Sequence, residues 1–285
     1  MSLDEHWFSE PLEPEGVAFS LRVTEKLHDE RTAYQHLEVY ETARWGRLML
    51  LDGCVMLTSR DNFIYHEMMS HPALFAHPDP RDVLIIGGGD CGTLREVLKH
   101  PGVNSATQVD IDEAVTRASE RFFPELCQAN DDPRARLLFA DGVRHVAEAR
   151  PDSLDVVIVD STDPVGPAEG LFGEPFLRDV RRALRPGGIM VQQSESPLFH
   201  SESIIGALHT AMGNAGFDTV RTLTFPLPSY PGGWWSATLG GKGADVTARR
   251  PQGAEPGFET RYYNGEIHAA AFAAPQFCRG AFGAG

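Results

Sequence analysis

DVLIIGGGDCG, Asp82 to Gly92, runs from a short apolar segment straight into three glycines and an acid. A Val/Leu/Ile run of this length, bounded by glycine, reads as a buried strand. The glycines make a turn in which a ligand can approach the backbone at a helix N-terminus, and residues 92–100 fit the helix. The same alternation continues outward. Strands are predicted at SATQVDI (105–111), ARLLFAD (135–141), LDVVIVD (154–160) and GIMVQQ (188–193), with helices at 112–122, 142–149 and 173–184. Short apolar strands joined by crossover helices indicate an α/β fold whose parallel sheet is covered on both faces. After a helix at 201–215, DTVRTLTF and WWSATLG form an antiparallel pair at the sheet edge. Residues 241–257 read as loop, and TRYYNGEIHAAAF resumes order.

Before the first glycine turn the period is different. Phe19, Leu21 and Val23, then Leu37 and Val39, then Leu48 and Leu50 alternate as in β-strands, and Asp52-Gly53 before CVMLT predicts a hairpin. From Asn62, the expected N-cap, NFIYHEMMSHPALF has helical spacing. The chain therefore divides into an N-terminal β-hairpin domain over 1–61 and an α/β domain over 62–285.

The 285 residues are 42% hydrophobic and 23% charged, which is ordinary for a globular protein. A formal net charge of -15 disfavours nucleic-acid and anionic-membrane partners and suits a cationic small molecule. Cys54, Cys91, Cys127 and Cys278 form no C-x-x-C pair, so neither a disulfide framework nor a zinc knuckle is expected. His66 and His71 in HEMMSH stand five apart rather than four, so no metal site is read there. The acidic, proline-broken start MSLDEHWFSEPLEPEG does not read as a secretory signal, no apolar run approaches membrane-spanning length, and the expected location is cytoplasmic.

In an open α/β sheet, ligands bind beyond the carboxyl ends of the strands. Here those ends carry Asp90, Asp110, Asp141 with Gly142, and Asp160 with Asp163. One such acid is commonly a helix cap; a row of them along one sheet edge is harder to assign to capping. A pyrophosphate would meet Asp90 as a like charge, which argues against a dinucleotide. Asp110, some twenty residues after the turn, suits a ribose diol. These features together describe a nucleoside site whose remaining part is cationic, and a sulfonium nucleoside fits. Asp90 would repel the carboxylate of S-adenosylmethionine and attract the amine of its decarboxylated form. Asp160 and Asp163 suggest a second cation, an amine acceptor.

LDGCVMLTSRDNFIYHEMMSHPAL, VLIIGGGDCGTLREV, DSTDPVGPAEGLF, YPGGWW and the tail RYYNGEIHAAAFAAPQF resemble the spermidine synthases, the polyamine aminopropyltransferases, over nearly the whole chain. The resemblance implies a small N-terminal β domain on a Rossmann-like, methyltransferase-type sheet, assembled as a homodimer or homotetramer. It implies transfer of an aminopropyl group from decarboxylated S-adenosylmethionine, a co-substrate, to putrescine, with no cofactor. Gln35 in YQHLEVYE, Gly87, Gly88, Gly89, Asp110, Asp141, Gly142 and Pro167 are then the donor-binding residues. Tyr65, His66, Asp90, Asp160, Asp163, Tyr230 and Trp235 line the amine site, Asp160 being the proton acceptor. Elementary chemistry agrees: an amine of pKa ~10.4 is almost wholly protonated at pH 7, and attack needs its free lone pair. A carboxylate in reach can take the proton. Pro164, Gly166 and Pro167 would form a loop that closes over the reactants.

The family pattern is broken at Asp110, where glutamate is usual, at Cys91, where GGGDG has become GGGDC, and at Met56, Ser59 and Asn62, which replace a glutamine and two acids. Met56 bears on the choice among putrescine, cadaverine, agmatine and spermidine. Two rival functions are a methyltransferase on the same fold, against which Asp90 and the Asp160/Asp163 pair argue, and a non-catalytic amine-binding protein, against which the retained Asp160 argues.

Overall fold

Five strands, β1 (Trp7–Leu12), β2 (Val17–Arg31), β3 (His36–Thr42), β4 (Arg47–Leu51) and β5 (Cys54–Thr58), form an antiparallel sheet in sequence order. The computed structural model describes residues 3–163, 166–250 and 257–282, with 166 and 167 described in backbone only. The hairpin at Asp52-Gly53 is present. Both residues take positive φ, 50° and 84°, as a two-residue turn with the strands' own twist requires. The strand alternation splits the sheet into two apolar faces. Leu37, Val39, Met49, Leu51 and Leu57 pack against Val115, Ala118 and Phe122 of the second unit, while Leu48, Leu50 and Val55 form a cluster with Leu21. β1 is an addition to the sequence expectation, which began the β region at residue 17. Pro11 is tolerated there because β1 is an edge strand.

α1 (Asn62–Ala76) is buried along most of its length. Its N-cap is Asp61 rather than the expected Asn62. The Asp61 carboxylate does not cap the helix. It accepts Thr58 Oγ1 at 2.6 Å and the Ser229 backbone N–H at 2.9 Å, joining the two units. The alternation then runs β6 (Asp82–Gly87), α2 (Gly92–Leu98), β7 (Ser105–Asp110), α3 (Glu113–Phe122), β8 (Ala135–Phe139), α4 (Gly142–Glu148), β9 (Leu154–Asp160), α5 (Glu174–Ala183) and β10 (Leu184–Gln193). The helix expected at 201–215 is α6 (Pro197–His200) continued through a π-type turn, Ser201–Gly206, into α7 (Ala207–Asn214). β11 (Thr219–Pro226) and β12 (Trp234–Gly241) are antiparallel, and α8 (Gly265–Ala271) follows.

The seven-stranded order is β11-β12-β10-β9-β6-β7-β8, parallel from β10 to β8. β7 and β8 are added outward from β6 on one side and β10 from β9 on the other, with β12 and then β11 beyond it, so the order reverses between β6 and β9. Such a switch point opens a crevice beyond the strand ends. α1 and α2 cover one face together with the C-terminal segment; α4, α5 and α7 cover the other.

The C-terminal segment is tied to α1 by one buried carboxylate. Glu67 accepts the backbone N–H groups of Arg261, Tyr262 and Tyr263 at 2.8, 2.9 and 2.8 Å. Bonds to a buried charge are each worth ~1.5–3 kcal/mol and are not additive. Glu67→Gln is expected to cost roughly 2–4 kcal/mol in urea unfolding and to speed proteolysis of the tail. An unchanged midpoint would mean that stacking of Tyr263 on Phe75, 5.5 Å between centroids, holds the segment instead.

Candidate active site

The ends of β6 and β9 are register neighbours, Gly87 beside Asp160. A Cβ on Gly87 would lie 2.1 Å from the Asp160 carbonyl oxygen, which instead accepts the Gly88 N–H at 2.8 Å. Gly89 fits equally closely: its Cβ would lie 2.8 Å from Asp110 Oδ2. The turn therefore threads between the two acids of the neighbouring strand ends. Cys91 closes it with φ 68°, a left-handed conformation that costs a side-chain-bearing residue roughly 1–2 kcal/mol. Its thiol is buried, packed with Gln108 Nε2 at 3.7 Å.

A cavity of about 480 Å³ opens at this edge, lined by Gln35, Tyr65, Gly87, Gly88, Gly89, Asp90, Asp110, Asp141, Gly142, Asp160, Asp163 and Tyr230. It adjoins a smaller cavity of about 30 Å³, and Met56, Tyr65, Asp163 and Tyr230 line both. Trp235 lines the smaller one, edge-on to Tyr230 at 4.6 Å, while Trp234 packs on Phe277. His66 is the exception among the expected amine-site residues. It lines neither cavity. It lies buried under Gly92, where a Cβ would come 2.2 Å from its ring, and meets the site at Asp90 and edge-on at Tyr65. The expectations for Pro167 and for the loop with Pro164 and Gly166 lie outside the described residues and side chains.

At the β7 end of the cavity, Asp110 Oδ1 accepts the Asp112 N–H at 2.8 Å. Burial, reinforced by Asp112 and Asp160, outweighs the backbone bonds and pushes the Asp110 carboxyl up to about 6. Asp112 caps α3 and receives Thr32 Oγ1 at 2.7 Å and Gln35 Nε2 at 2.9 Å, so the N-terminal sheet is held against this edge. Asp141 does cap α4, through the Arg144 N–H at 3.2 Å, and lines the cavity as well.

Asp160 caps no helix. Its Oδ1 accepts Tyr65 Oη at 2.7 Å and its Oδ2 accepts Thr93 Oγ1 at 2.6 Å. Asp90 accepts the Gly92 N–H at 2.6 Å and meets His66 Nε2 at 3.1 Å. Burial raises the proton affinity of both acids. For Asp90, the His66 charge and hydrogen bond and the Gly92 bond win, so its carboxyl is held below the ordinary range. For Asp160, burial and the Asp90 charge win over His66, Thr93 and Tyr65, so its carboxyl is raised.

Two acids, Glu10 and Asp163, line the smaller cavity, and a third, Glu195, is hydrogen-bonded to Asp163. Glu10 on β1 accepts the Val55 N–H at 2.9 Å, and burial pushes its carboxyl up to about 7. Glu195 is buried with φ 67°, and its carbonyl accepts Ser236 Oγ at 2.8 Å. Burial, then a hydrogen bond with Asp163, pushes its carboxyl well above the usual range. Glu10 carries no sequence signal beyond an acid in a proline-containing segment. Tyr230 Oη donates to the Met56 carbonyl at 2.6 Å, which fixes the wall between the two cavities. Among the described residues a potential metal-ligating cluster, Asp29, His36 and Glu38, lies on the N-terminal sheet, and Lys26 Nζ already sits 2.6 and 2.7 Å from its two carboxylates.

Comparison with known proteins agrees with this fold. Residues 62–250 match the spermine/spermidine synthase domain, and residues 6–59 match the spermidine synthase tetramerisation domain. The polyamine aminopropyltransferase of Alkalilimnicola ehrlichii is 66% identical over 98% of both chains, and that of Halorhodospira halophila is 64% identical over 96% of this chain and 99% of its own. A spermidine synthase crystallised with the transition-state analogue AdoDATO superposes with a TM-score of 0.93 at 33% identity, covering 99% of this chain and 97% of that one. The spermidine synthase of Thermotoga maritima gives 0.91 at 33% identity, covering 98% and 95%. The chain belongs to the spermine/spermidine synthase family of aminopropyltransferases.

Proposed function

We propose that the protein transfers the aminopropyl group of decarboxylated S-adenosylmethionine to putrescine, giving spermidine and 5′-methylthioadenosine. The observation that carries this reading is the place of Asp160: a half-buried carboxylate at the strand switch point, in a cavity edged by Asp110 and Asp141 that meets one lined by Glu10 and Asp163 among Met56, Tyr65, Tyr230 and Trp235. The donor's nucleoside would lie along the glycine turn, its ribose at Asp110 and its aminopropyl amine toward the ionised Asp90. Putrescine would extend past Tyr65 and Tyr230, its far ammonium among Glu10, Asp163 and Glu195.

In the reaction the free amine attacks the methylene beside the sulfonium. The C–N bond forms, the C–S bond breaks with its electron pair moving to sulfur, and the amine proton passes to Asp160. The leaving thioether is neutral, so no general acid is needed, and alignment of the two substrates supplies much of the acceleration. No cofactor enters this scheme. The match to a tetramerisation domain supports a homo-oligomer built through the N-terminal sheet. Among the described residues no helix is long and apolar enough to cross a membrane, and a cytoplasmic location is part of the proposal.

Product analysis with the decarboxylated donor and a panel of amines tests the acceptor. Putrescine should give the highest kcat/KM, and a higher value for agmatine, cadaverine or spermidine would reassign it. Met56 sets the finer margin. Its thioether makes the wall apolar, and one extra buried methylene is worth ~0.8 kcal/mol, about fourfold. Met56→Gln should therefore lower the cadaverine-to-putrescine ratio in the same assay, and a level ratio would leave Met56 a packing residue.

Asp160→Asn should cut turnover by about two orders of magnitude or more, the range for a lost general base, with little change in methylthioadenosine affinity. Near-normal turnover at saturating amine would remove Asp160 from the role.

Glu10 makes a pH-dependent prediction. Its carboxyl is raised to about 7, so it is neutral below that pH and anionic above it. Glu10→Gln should raise the putrescine KM several-fold at pH 8.5, and the difference should shrink toward pH 6. Equal KM values for variant and parent at pH 8.5 would place the far ammonium elsewhere.

A further inference from the structure

Thr93 belongs to α2 and is fully buried; it lines neither cavity. A threonine in a helix commonly turns its hydroxyl back to the carbonyl four residues earlier. Here that carbonyl, on Gly89, accepts Thr116 Oγ1 at 2.9 Å, and the Thr93 hydroxyl points across to Asp160 Oδ2 at 2.6 Å. A carboxylate has no hydrogen to give, so the threonine is the donor. On the same side, a Cβ on Gly88 would come within 3.0 Å of Oδ2. Oδ1 is bonded to Tyr65, which lines both cavities.

We propose that Thr93 is a positioning residue for the reaction: its hydroxyl anchors Asp160 Oδ2 so that the carboxylate is fixed, stays ionised and presents Oδ1 to the attacking amine. The proposal rests on Asp160 being the proton acceptor. Charge-assisted O–H···O bonds of this length are strong, and a donor to the ionised form favours that form. The groups that face Asp160 from neighbouring elements are Tyr65 and His66 on α1, Asp90 in the glycine turn, Asp110 at the end of β7 and Tyr230 between β11 and β12. Burial and Asp90 push the carboxyl toward the protonated state, in which it can accept nothing from the amine; Thr93, Tyr65 and His66 oppose them. Thr93 is the only one of these three that lies outside both cavities and carries no titrating charge, so its removal should act on Asp160 alone.

The test is the pH dependence of kcat/KM for the amine in Thr93→Val, which keeps the shape and removes the donor, beside Thr93→Ser, which restores it. Asp160 must be ionised to act, so activity falls as pH drops through its pKa, and loss of a donor moves that limb upward. The substrate amine titrates identically in variant and parent, so the ratio of the two enzymes isolates Asp160. That ratio should be near one well above the pKa of Asp160 in both enzymes and fall toward about a tenth at pH values below both, since one pKa unit is a factor of ten. Thr93→Ser should follow the parent, and methylthioadenosine should bind all three alike. A pH-independent ratio, or a serine variant as impaired as the valine one, would overturn the proposal. If Thr93→Val does not fold, Thr93→Ala with the same readout replaces it. Asp160→Asn assayed in parallel separates the two layers: near-normal turnover there overturns the base role itself, whereas an inactive Asp160→Asn with a flat Thr93→Val ratio overturns only the role of Thr93.

Discussion

The bond from the Gly88 N–H to the Asp160 carbonyl, 2.8 Å long, joins the two strands between which the sheet reverses its order. Everything in the site is referred to it. The Asp160 carbonyl occupies the space a side chain on Gly87 would need, so the close approach of β6 and β9 requires glycine there. That approach brings the carboxylate of Asp160 under α2 and beside α1, where Thr93 and Tyr65 reach it. A side chain at 87 would push the end of β9 away from both hydroxyls. It would also widen the glycine turn, which holds Asp90 on one side and lies against Asp110 on the other.

Two carboxylates in one crevice are given different proton affinities by their surroundings alone. Asp90 has a histidine and a backbone N–H and stays ionised; Asp160 has two hydroxyls and the Asp90 charge as a neighbour and holds a proton more readily. Environments that push paired acids apart in this way are how one fold assigns fixed charge and proton transfer to neighbouring residues. His66 is central to the division although no substrate-sized cavity touches it. Its own charge is favoured by Asp90 against the burial that opposes it.

The parallel strands were legible because strands buried on both faces are near-continuous apolar runs, and their acids are visible as the residues that end those runs. The turn was less decisive: Gly87, Gly89 and Gly92 keep the G-x-G-x-x-G spacing of dinucleotide folds, and only the charge of Asp90 speaks against a pyrophosphate. Long-range contacts were not legible. Asp61 and Asn62 are both good caps, and the choice between them is made by Thr58 and by Ser229, which lies more than 160 residues away. α1 is buried nearly all round, so periodicity could not tell that Tyr65 faces the cavity while His66 lies behind Asp90. β1 alternates between exposed and half-buried residues and contains a proline, which hides the strand and Glu10 with it. Thr93 reads from sequence as an ordinary helical residue; its bond to Asp160 is visible only when β9 is beside α2.

In the proposed reaction, burial would serve both ends of a diamine through one physical effect. At the reacting end, desolvation strengthens the hold of Asp160 on a proton and so narrows its gap from the far more basic amine, which makes proton transfer less uphill. At the far end, Glu10 and Glu195 are raised by the same desolvation, and Glu195 is hydrogen-bonded to Asp163. Acids so placed would repel one another if all were ionised, and protons relieve that repulsion until a cation replaces them. A diammonium ion brings one charge that must be surrendered and one that must be kept. The single base at the switch point suits the first. A cluster of acids beyond Met56, Tyr65 and Tyr230 suits the second, because ionised carboxylates attract a cation and repel an anion.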